Sequence, residues 1–236
     1  MNVLEVRLTT QGRVGFASRE VGRLVDTSEY ILNTALYYAF GFASGRYVDT
    51  KFRPTYIEDT ADVAEQLYIT PAAPIEQPDY STAFYNARDD EYAIVNYSAQ
   101  DDPTGQQDLN LPKFGSERRF TNGNEFRLYV IPKSSKAQDV AKMMPGYARL
   151  GKKRGKVRVD TRIVEAYKSS GEFVANHPFG VNDYDNTPLS NVISKKMRPT
   201  PIILQAKYED SYLAIPRENQ PSAKLPTDLT FLGKKR

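Results

Sequence analysis

Polar and apolar residues alternate cleanly over residues 3–8, with Leu4, Val6 and Leu8 on one face and Glu5 and Arg7 on the other. A period of two predicts a first strand buried on one side. Gly12 and Gly15 follow and mark a turn. The spacing then becomes helical: Ile31, Leu32, Ala35, Leu36, Ala39 and Phe40 form one stripe, and Gly41 ends it. Asp26 or Thr27 is a good N-cap and Glu29 adds an acid to the first turn, so the helix is predicted from about residue 27 to 40. Its other side carries Tyr30, Asn33, Thr34, Tyr37 and Tyr38, all able to hydrogen-bond.

Further along, Pro54, Pro71, Pro74 and Pro78 break up residues 47–90, leaving room for one short helix near 59–68. Residues 91–97 and 125–131 read as strands, and the polar stretch 98–123 is a long excursion between them. A short helix fits 135–144. From Lys156 to Ile163 alternation returns, with Val157, Val159 and Ile163 on one face and Lys156, Arg158 and Arg162 on the other. The runs 202–208 and 212–216 flank Glu209–Asp210–Ser211 and read as a hairpin. This order predicts an α+β fold: a βαββαβ core of the ferredoxin-like or RNA-recognition-motif type. It is expected as one domain, 1–236, with an acidic insertion at 49–90 and a thumb-like insertion at 98–123.

Composition removes several chemistries. The chain of 236 residues has no cysteine and one histidine, His177, which excludes disulfides, thiol nucleophiles, zinc fingers and multi-histidine metal sites. No cofactor is implied. No apolar run approaches the roughly 18 residues a membrane span needs, and the first residues lack a secretory pattern, so a cytoplasmic location is expected. Tyrosine is abundant, 16 against 11 Phe and no Trp. That suits either stacking surfaces or sheet-rich folding.

Net charge is only +3, but it is unevenly spread. Residues 49–112 carry three basic and thirteen acidic groups, whereas 113–163 carry fourteen basic and four acidic. A block that basic is a candidate polyanion footprint. The alternative is that the two blocks face each other in the fold.

Three constellations could hold nucleic acid. The first is Lys152, Lys153 and Arg154 with Lys156 and Arg158, bracketed by Gly151 and Gly155, which would let backbone approach phosphate closely. The second is Arg19, Gly22 and Arg23 before the first helix, continuing to Tyr30 and Asn33, where bases could stack and pair with an amide. The third is Arg118–Arg119–Phe120, the basic–aromatic tip of a mobile arm or a plain loop segment. Solvated charge and ordinary capping are the alternatives for the first two. His177 has no evident catalytic partner, and the Asp89–Asp90–Glu91 and Asp101–Asp102 runs read as solvated.

The stretches FASREVGRLVDTSEYILNTALYYAFGF (16–42) and GYARLGKKRGKVRV (146–159), with the closing YEDSYLAIPRENQP, resemble the type I-D branch of the CRISPR Cas-five family, Csc-one. The resemblance implies an RNA-recognition-type fold with a thumb. It implies a non-catalytic subunit at the foot of a Cascade effector complex. There it would grip the 5′ handle of the guide RNA (crRNA) and touch the large subunit and the backbone subunit. Target DNA beside the protospacer-adjacent motif is a further candidate contact. Arg19, Gly22, Arg23 and Asn33 map to the handle contact, Lys152–Arg158 to the basic turn, and Arg118 and Arg119 to the thumb tip. Guide processing is implied to belong to a separate nuclease. Two other functions stay open: a metal-independent endoribonuclease using His177, and a protein-only scaffold.

Overall fold

The computed structural model describes residues 1–21, 24–43, 55–87, 113–151, 153–184, 190–218 and 220–232. The chain is mixed α+β, mostly sheet. Its elements are β1 (Asn2–Thr10), β2 (Arg19–Val21), β3 (Leu24–Asp26), α1 (Asn33–Ala39), α2 (Tyr56–Ala64), β4 (Leu67–Ile69), β5 (Ala73–Pro74), β6 (Tyr80–Ala87) and β7 (Lys113–Phe120). They continue with β8 (Glu125–Pro132), α3 (Ala137–Met143), β9 (Tyr147–Leu150), β10 (Gly155–Glu165), β11 (Tyr167–Ala175), β12 (Phe179–Gly180), β13 (Ser190–Lys195), β14 (Ile202–Arg217) and β15 (Gln220–Pro226). None of the described helices is long and apolar enough to cross a membrane.

The central sheet has the order β4-β8-β1-β10-β9, with β5 also paired to β8, and every pairing in it is antiparallel. Leu4, Val6 and Leu8 lie opposite Val130, Leu128 and Phe126, and all six are fully buried. Val157 and Val159 extend this apolar face, and α3 packs over β1, β8 and β10. Such alternation is legible because one face meets helices and the other stays polar. A second sheet is built on β14, which pairs with β11, β12, β13 and β15. The third has the order β2-β3-β7-β6, with β3 and β7 parallel.

Four sequence expectations are corrected here. The first helix begins at Asn33 and not at Thr27, because 24–26 is the strand β3, bonded to β2 and β7. Residues 67–74 belong to the central sheet as β4 and β5, so the segment 49–90 is not wholly an insertion, and the short helix in it starts earlier, at Tyr56. Residues 113–120 are a strand, so that part of the 98–123 excursion is no loop. Glu209–Asp210–Ser211 is mid-strand, opposite Ser170–Gly171–Glu172 in a 16-residue β14. Buried positions in β14 fall on Ala206 and Tyr208, then on Leu213 and Ile215. That change of phase imitates a turn. The strand proposed at 91–97 lies outside the described residues.

One buried carboxyl joins several of these elements. Asp183 Oδ2 accepts from Tyr68 Oη at 2.7 Å, Asn33 Nδ2 at 2.8 Å and Gly180 N at 3.1 Å, while Oδ1 accepts from Leu232 N at 2.8 Å. It thereby ties the first residue of α1 to β4, to the end of β12 and to the C-terminal segment. Burial raises its pKa above the usual carboxylate value, against the pull of the four donors.

Removing this acceptor strands several buried donors, each costing about 1–3 kcal/mol. Asp183→Ala is therefore expected to lower unfolding stability by about 3 kcal/mol or more, read as a lower urea midpoint at unchanged m-value. Asp183→Asn keeps one acceptor oxygen and should lose less.

Candidate nucleic-acid interface

The two glycine-containing segments meet each other. A Cβ on Gly151, which has φ +77°, would overlap the Gly15 carbonyl oxygen, and one on Gly155 would lie 2.5 Å from the Arg13 carbonyl oxygen. The β9–β10 turn is thus stacked backbone to backbone on the Arg13–Gly15 loop. Gly15 in turn lies against β7: its Cβ would sit 2.6 Å from Glu117 Oε1 and 2.8 Å from Arg119 Cγ. These glycines permit close approach of protein to protein, where the sequence suggested close approach to phosphate.

Beyond Gly15 the chain is fixed by Thr27. Phe16 N donates to Thr27 Oγ1 at 3.0 Å, and that hydroxyl donates back to Phe16 O at 3.1 Å. Ser18 N donates to Asp26 O at 3.1 Å. The segment Phe16–Ser18 is so held alongside α1, and a groove runs between them. One end is a cleft of about 510 Å³ walled by Phe16, Ala35, Tyr38, Arg149, Gly151 and Arg154. The other, about 170 Å³, is walled by Phe16, Tyr30, Tyr38, Tyr56, Met197 and Arg198. Phe16, Ala17, Ala35 and Tyr38 line both, so they are one continuous feature. Tyr38 packs edge-on to Tyr56 at 6.2 Å, and its hydroxyl donates to Asp59 Oδ2. Lys195 Nζ lies 5.5 Å from the Tyr30 ring centre and pairs with Glu29 at 2.7 Å. The groove therefore has four aromatic rings in its walls, small alanines in its floor, and arginines at both ends.

This arrangement joins the first two sequence constellations through Arg154 and Tyr30. Other predicted residues have different places. Asn33 is buried and its amide is committed to Asp183, so it anchors the helix and is not on the surface. Arg118 and Arg119 stand at the Phe120 end of the β6–β7 hairpin, opposite Thr82 and Ser81, and not at the tip of an arm. Arg118 pairs with Asp26 at 2.6 Å and lies 4.2 Å over Tyr80. Arg119, nearly buried, pairs with Glu117. Lys153 reaches the same carboxylate at 3.6 Å. Burial works to raise the Glu117 pKa, but Arg119 and then Lys153 outweigh it and hold it below the usual range. Arg19 is exposed and 3.7 Å from Asp26. Gly22, Arg23 and Lys152 lie outside the described residues.

Lys156 and Arg158 project from the polar face of β10. Lys156 Nζ sits 4.1 Å from the Tyr147 ring centre, and Arg158 pairs with Asp160 at 2.8 Å. The register adds cations that the chain pattern did not group with them: Arg149 opposite Lys156, Arg7 opposite Asp160, and Arg127 opposite Arg7. Each stands alone in its own strand, so only strand pairing reveals the patch. Acids interleave it: Glu5 pairs with Arg127 at 2.9 Å and Arg162 at 2.7 Å, and Glu125 lies 3.9 Å from Arg7. Arg118, Arg119, Arg127, Lys142, Lys153, Arg158 and Arg162 of the 113–163 block all pair with acids outside 49–112. The acids that temper the basic block come from β1, β3, β7, α3, β10 and the turn at Glu218.

His177 is buried. One ring nitrogen, Nε2, is 2.9 Å from Thr70 Oγ1, and the other, Nδ1, is 3.3 Å from Arg217 Nη2. Burial, then the charges of Arg217 and Arg127, push its pKa well below the usual value, so the ring is neutral at physiological pH.

The family model for the type I-D CRISPR-associated protein Cas5/Csc1 matches residues 1–234. The chain belongs to this Cas5/Csc1 family. No curated protein sequence matches it. A chain in a cryo-EM structure of the type III-B Cmr-beta, bound to cognate target RNA and AMPPnP, is similar at 8% identity, covering 86% of each chain with a TM-score of 0.46. A CRISPR protein from Archaeoglobus fulgidus, known from a crystal structure, is similar at 12% identity, covering 95% of this chain and 98% of that one, with a TM-score of 0.39. For this Cas5/Csc1 member the groove between α1 and Phe16–Ser18 is the candidate interface.

Two measurements check the geometry. Gly151→Ala places a methyl against Gly15 in a left-handed backbone, and is expected to cost about 2 kcal/mol or more and lower Tm by several degrees. The depressed His177 pKa means that protonation favours the unfolded chain. Stability from this group is full above about pH 6.5 and is lost as pH falls toward its folded pKa, at up to about 1.4 kcal/mol per pH unit. The difference in urea stability between wild type and His177→Gln should shrink as pH falls from 7.5 to 5.

Proposed function

We propose that this protein is the non-catalytic subunit of a type I-D Cascade effector complex that binds and caps the 5′ handle of the crRNA. The single observation that carries this is the groove: four aromatic rings between Arg149 and Arg154 at one end and Arg198 at the other. Single-stranded RNA is held by stacking of bases on aromatic faces and by cations along the phosphate chain. The groove supplies both, on a rigid scaffold. In a guided complex base pairing reads sequence, and the protein needs only shape and backbone contact.

The same reading covers the fold. The path β1, α1, β4, β8, α3, β10 with the spatial order β4-β8-β1-β10 supports a ferredoxin-like, RNA-recognition-type core. Arg149, Lys156, Arg158 and Arg7 on the open face of its sheet extend the cationic track past Arg154. The large and backbone subunits, and target DNA beside the protospacer-adjacent motif, are the remaining proposed contacts. The non-catalytic role is supported by His177, which is buried, neutral and engaged at both nitrogens. Precursor cleavage in EDTA that disappears in His177→Gln would overturn that part.

Binding of handle RNA to the purified chain should weaken linearly in log–log salt plots. Each phosphate contact on a single strand adds about 0.7 to the slope. Arg149→Gln with Arg154→Gln should flatten the slope by about 1.4 and weaken binding at least tenfold. Tyr38→Ala should weaken binding by about 1–3 kcal/mol with little change in slope. An unaltered slope and affinity in both variants would remove the groove from the interface. With native partners, RNA should co-purify and crosslink within 16–38 and 146–158.

A further inference from the structure

A second concave site lies between β8, β14 and the turn before β15. Its cavity, about 440 Å³, is lined by Arg127, Asn176, His177, Arg217 and Gln220, with Ala73–Ile75 and Pro221 at the rim. Among the described residues the lining holds two guanidinium groups and no carboxylate. It shares no residue with the groove beside α1.

Arg217 is held in an unusual way. Its Nε donates to Tyr129 Oη at 3.0 Å and its Nη2 donates to His177 Nδ1 at 3.3 Å. The guanidinium carbon lies 5.9 Å from the Tyr129 ring centre. Both partners, Tyr129 and His177, are neutral. Among the described residues no carboxylate lies within ion-pair distance of Arg217, whereas nearby Arg7, Arg127, Arg158 and Arg162 each have one. A partly buried cation without a counter-charge carries an unrecovered desolvation cost. The protein fixes this one's direction with two neutral acceptors and leaves its charge unspent.

The neighbours complete a cradle. Arg127 pairs with Glu5, but that carboxylate is shared with Arg162, which also pairs with Glu218. Arg127 Nη1 donates to Gln220 Oε1 at 2.8 Å. That bond fixes the amide orientation, and the Gln220 NH2 has no protein partner among the described residues. Three donors, two of them cationic, thus converge on a cavity with no acid among its described lining residues. His177 serves as the acceptor that aims Arg217 because it is neutral at physiological pH; protonation would turn it from acceptor to donor and release the guanidinium.

We propose that this cavity is an anion site that takes one phosphate group, gripped by Arg217 and Arg127 with Gln220 as a third donor. Guanidinium forks match the oxygens of phosphate, which is why arginine dominates such sites. The group can come from an internal phosphodiester, from a phosphorylated strand end, or from free phosphate. The chemistry is the same for all three, and the site stands whether or not the groove beside α1 holds RNA.

The test uses the full chain and inorganic phosphate at constant ionic strength, balanced with chloride. Phosphate should raise Tm by several degrees beyond the chloride control, because a ligand that binds only the folded state stabilises it. The rise should vanish in Arg217→Gln and be weakened at least threefold in Gln220→Ala, which keeps the buried contacts of Arg217 and decides the matter if Arg217→Gln fails to fold. Arg149→Gln should leave the rise intact. No phosphate-specific rise in wild type, or an equal rise in Gln220→Ala and Arg217→Gln, would overturn the proposal. Competition by short RNAs with 5′-hydroxyl or 5′-phosphate ends then identifies the source: preference for the phosphorylated end marks a terminal phosphate, and equal competition marks an internal one.

Discussion

The buried Asp183 carboxyl is the constraint on which the arrangement depends. A carboxyl with no access to water needs donors on both oxygens, and here they come from four separated places in the chain. Meeting that demand pins the start of α1 to β4 and to the C-terminal segment at once. Helix α1 is only seven residues long and has no side-chain cap, so it could not hold its place by propensity alone. The tertiary bond from Asn33 does that work. Because α1 forms one wall of the groove, a carboxyl in the interior sets the position of Tyr38 and Ala35 at the surface.

A second hub acts on the opposite wall. Glu117, nearly buried in β7, receives Arg119 from its own strand and Lys153 from the β9–β10 turn. The turn is thereby attached to the third sheet by charge and to the Arg13–Gly15 loop by backbone contact. Thr27 holds Phe16 through two hydrogen bonds. Both groove walls are therefore positioned by polar groups that are themselves out of solvent, which favours a preformed site over one assembled by the ligand.

How much of this is legible in sequence depends on whether the signal is local. β1, β8, β10 and α3 are readable, because each shows its own period and borders a polar turn. β3 is not, because three residues are too few to show a period and are a strand only by pairing, with β2 on one side and with β7, about ninety residues away, on the other. The long β14 reads as two strands, because its buried positions change phase around Asp210. For the site, the chain shows the basic turn and the tyrosines but not that they meet. It also overstates the field of the basic block. Glu5 and Glu117 lie outside the acidic segment or within the basic one, and they neutralise several of its cations at short range. Arg7, Arg127 and Arg149 are each the one cation of their strand and join the patch only through strand register. Arg217, the cation whose surroundings are most distinctive, carries no pattern at all.

The contact between the Gly15 loop and the β9–β10 turn has a consequence for how this protein can vary. Lysines and arginines in the turn can exchange with each other, or drift along it, while the local charge stays roughly constant. The positions of Gly15, Gly151 and Gly155 have no such latitude, since any side chain there occupies space already filled by backbone or by the Glu117 and Arg119 side chains. Among relatives that keep this geometry, the most faithful record of this wall of the groove should be three residues that carry no side chain at all, with the solvent-facing charges between them more free to scatter.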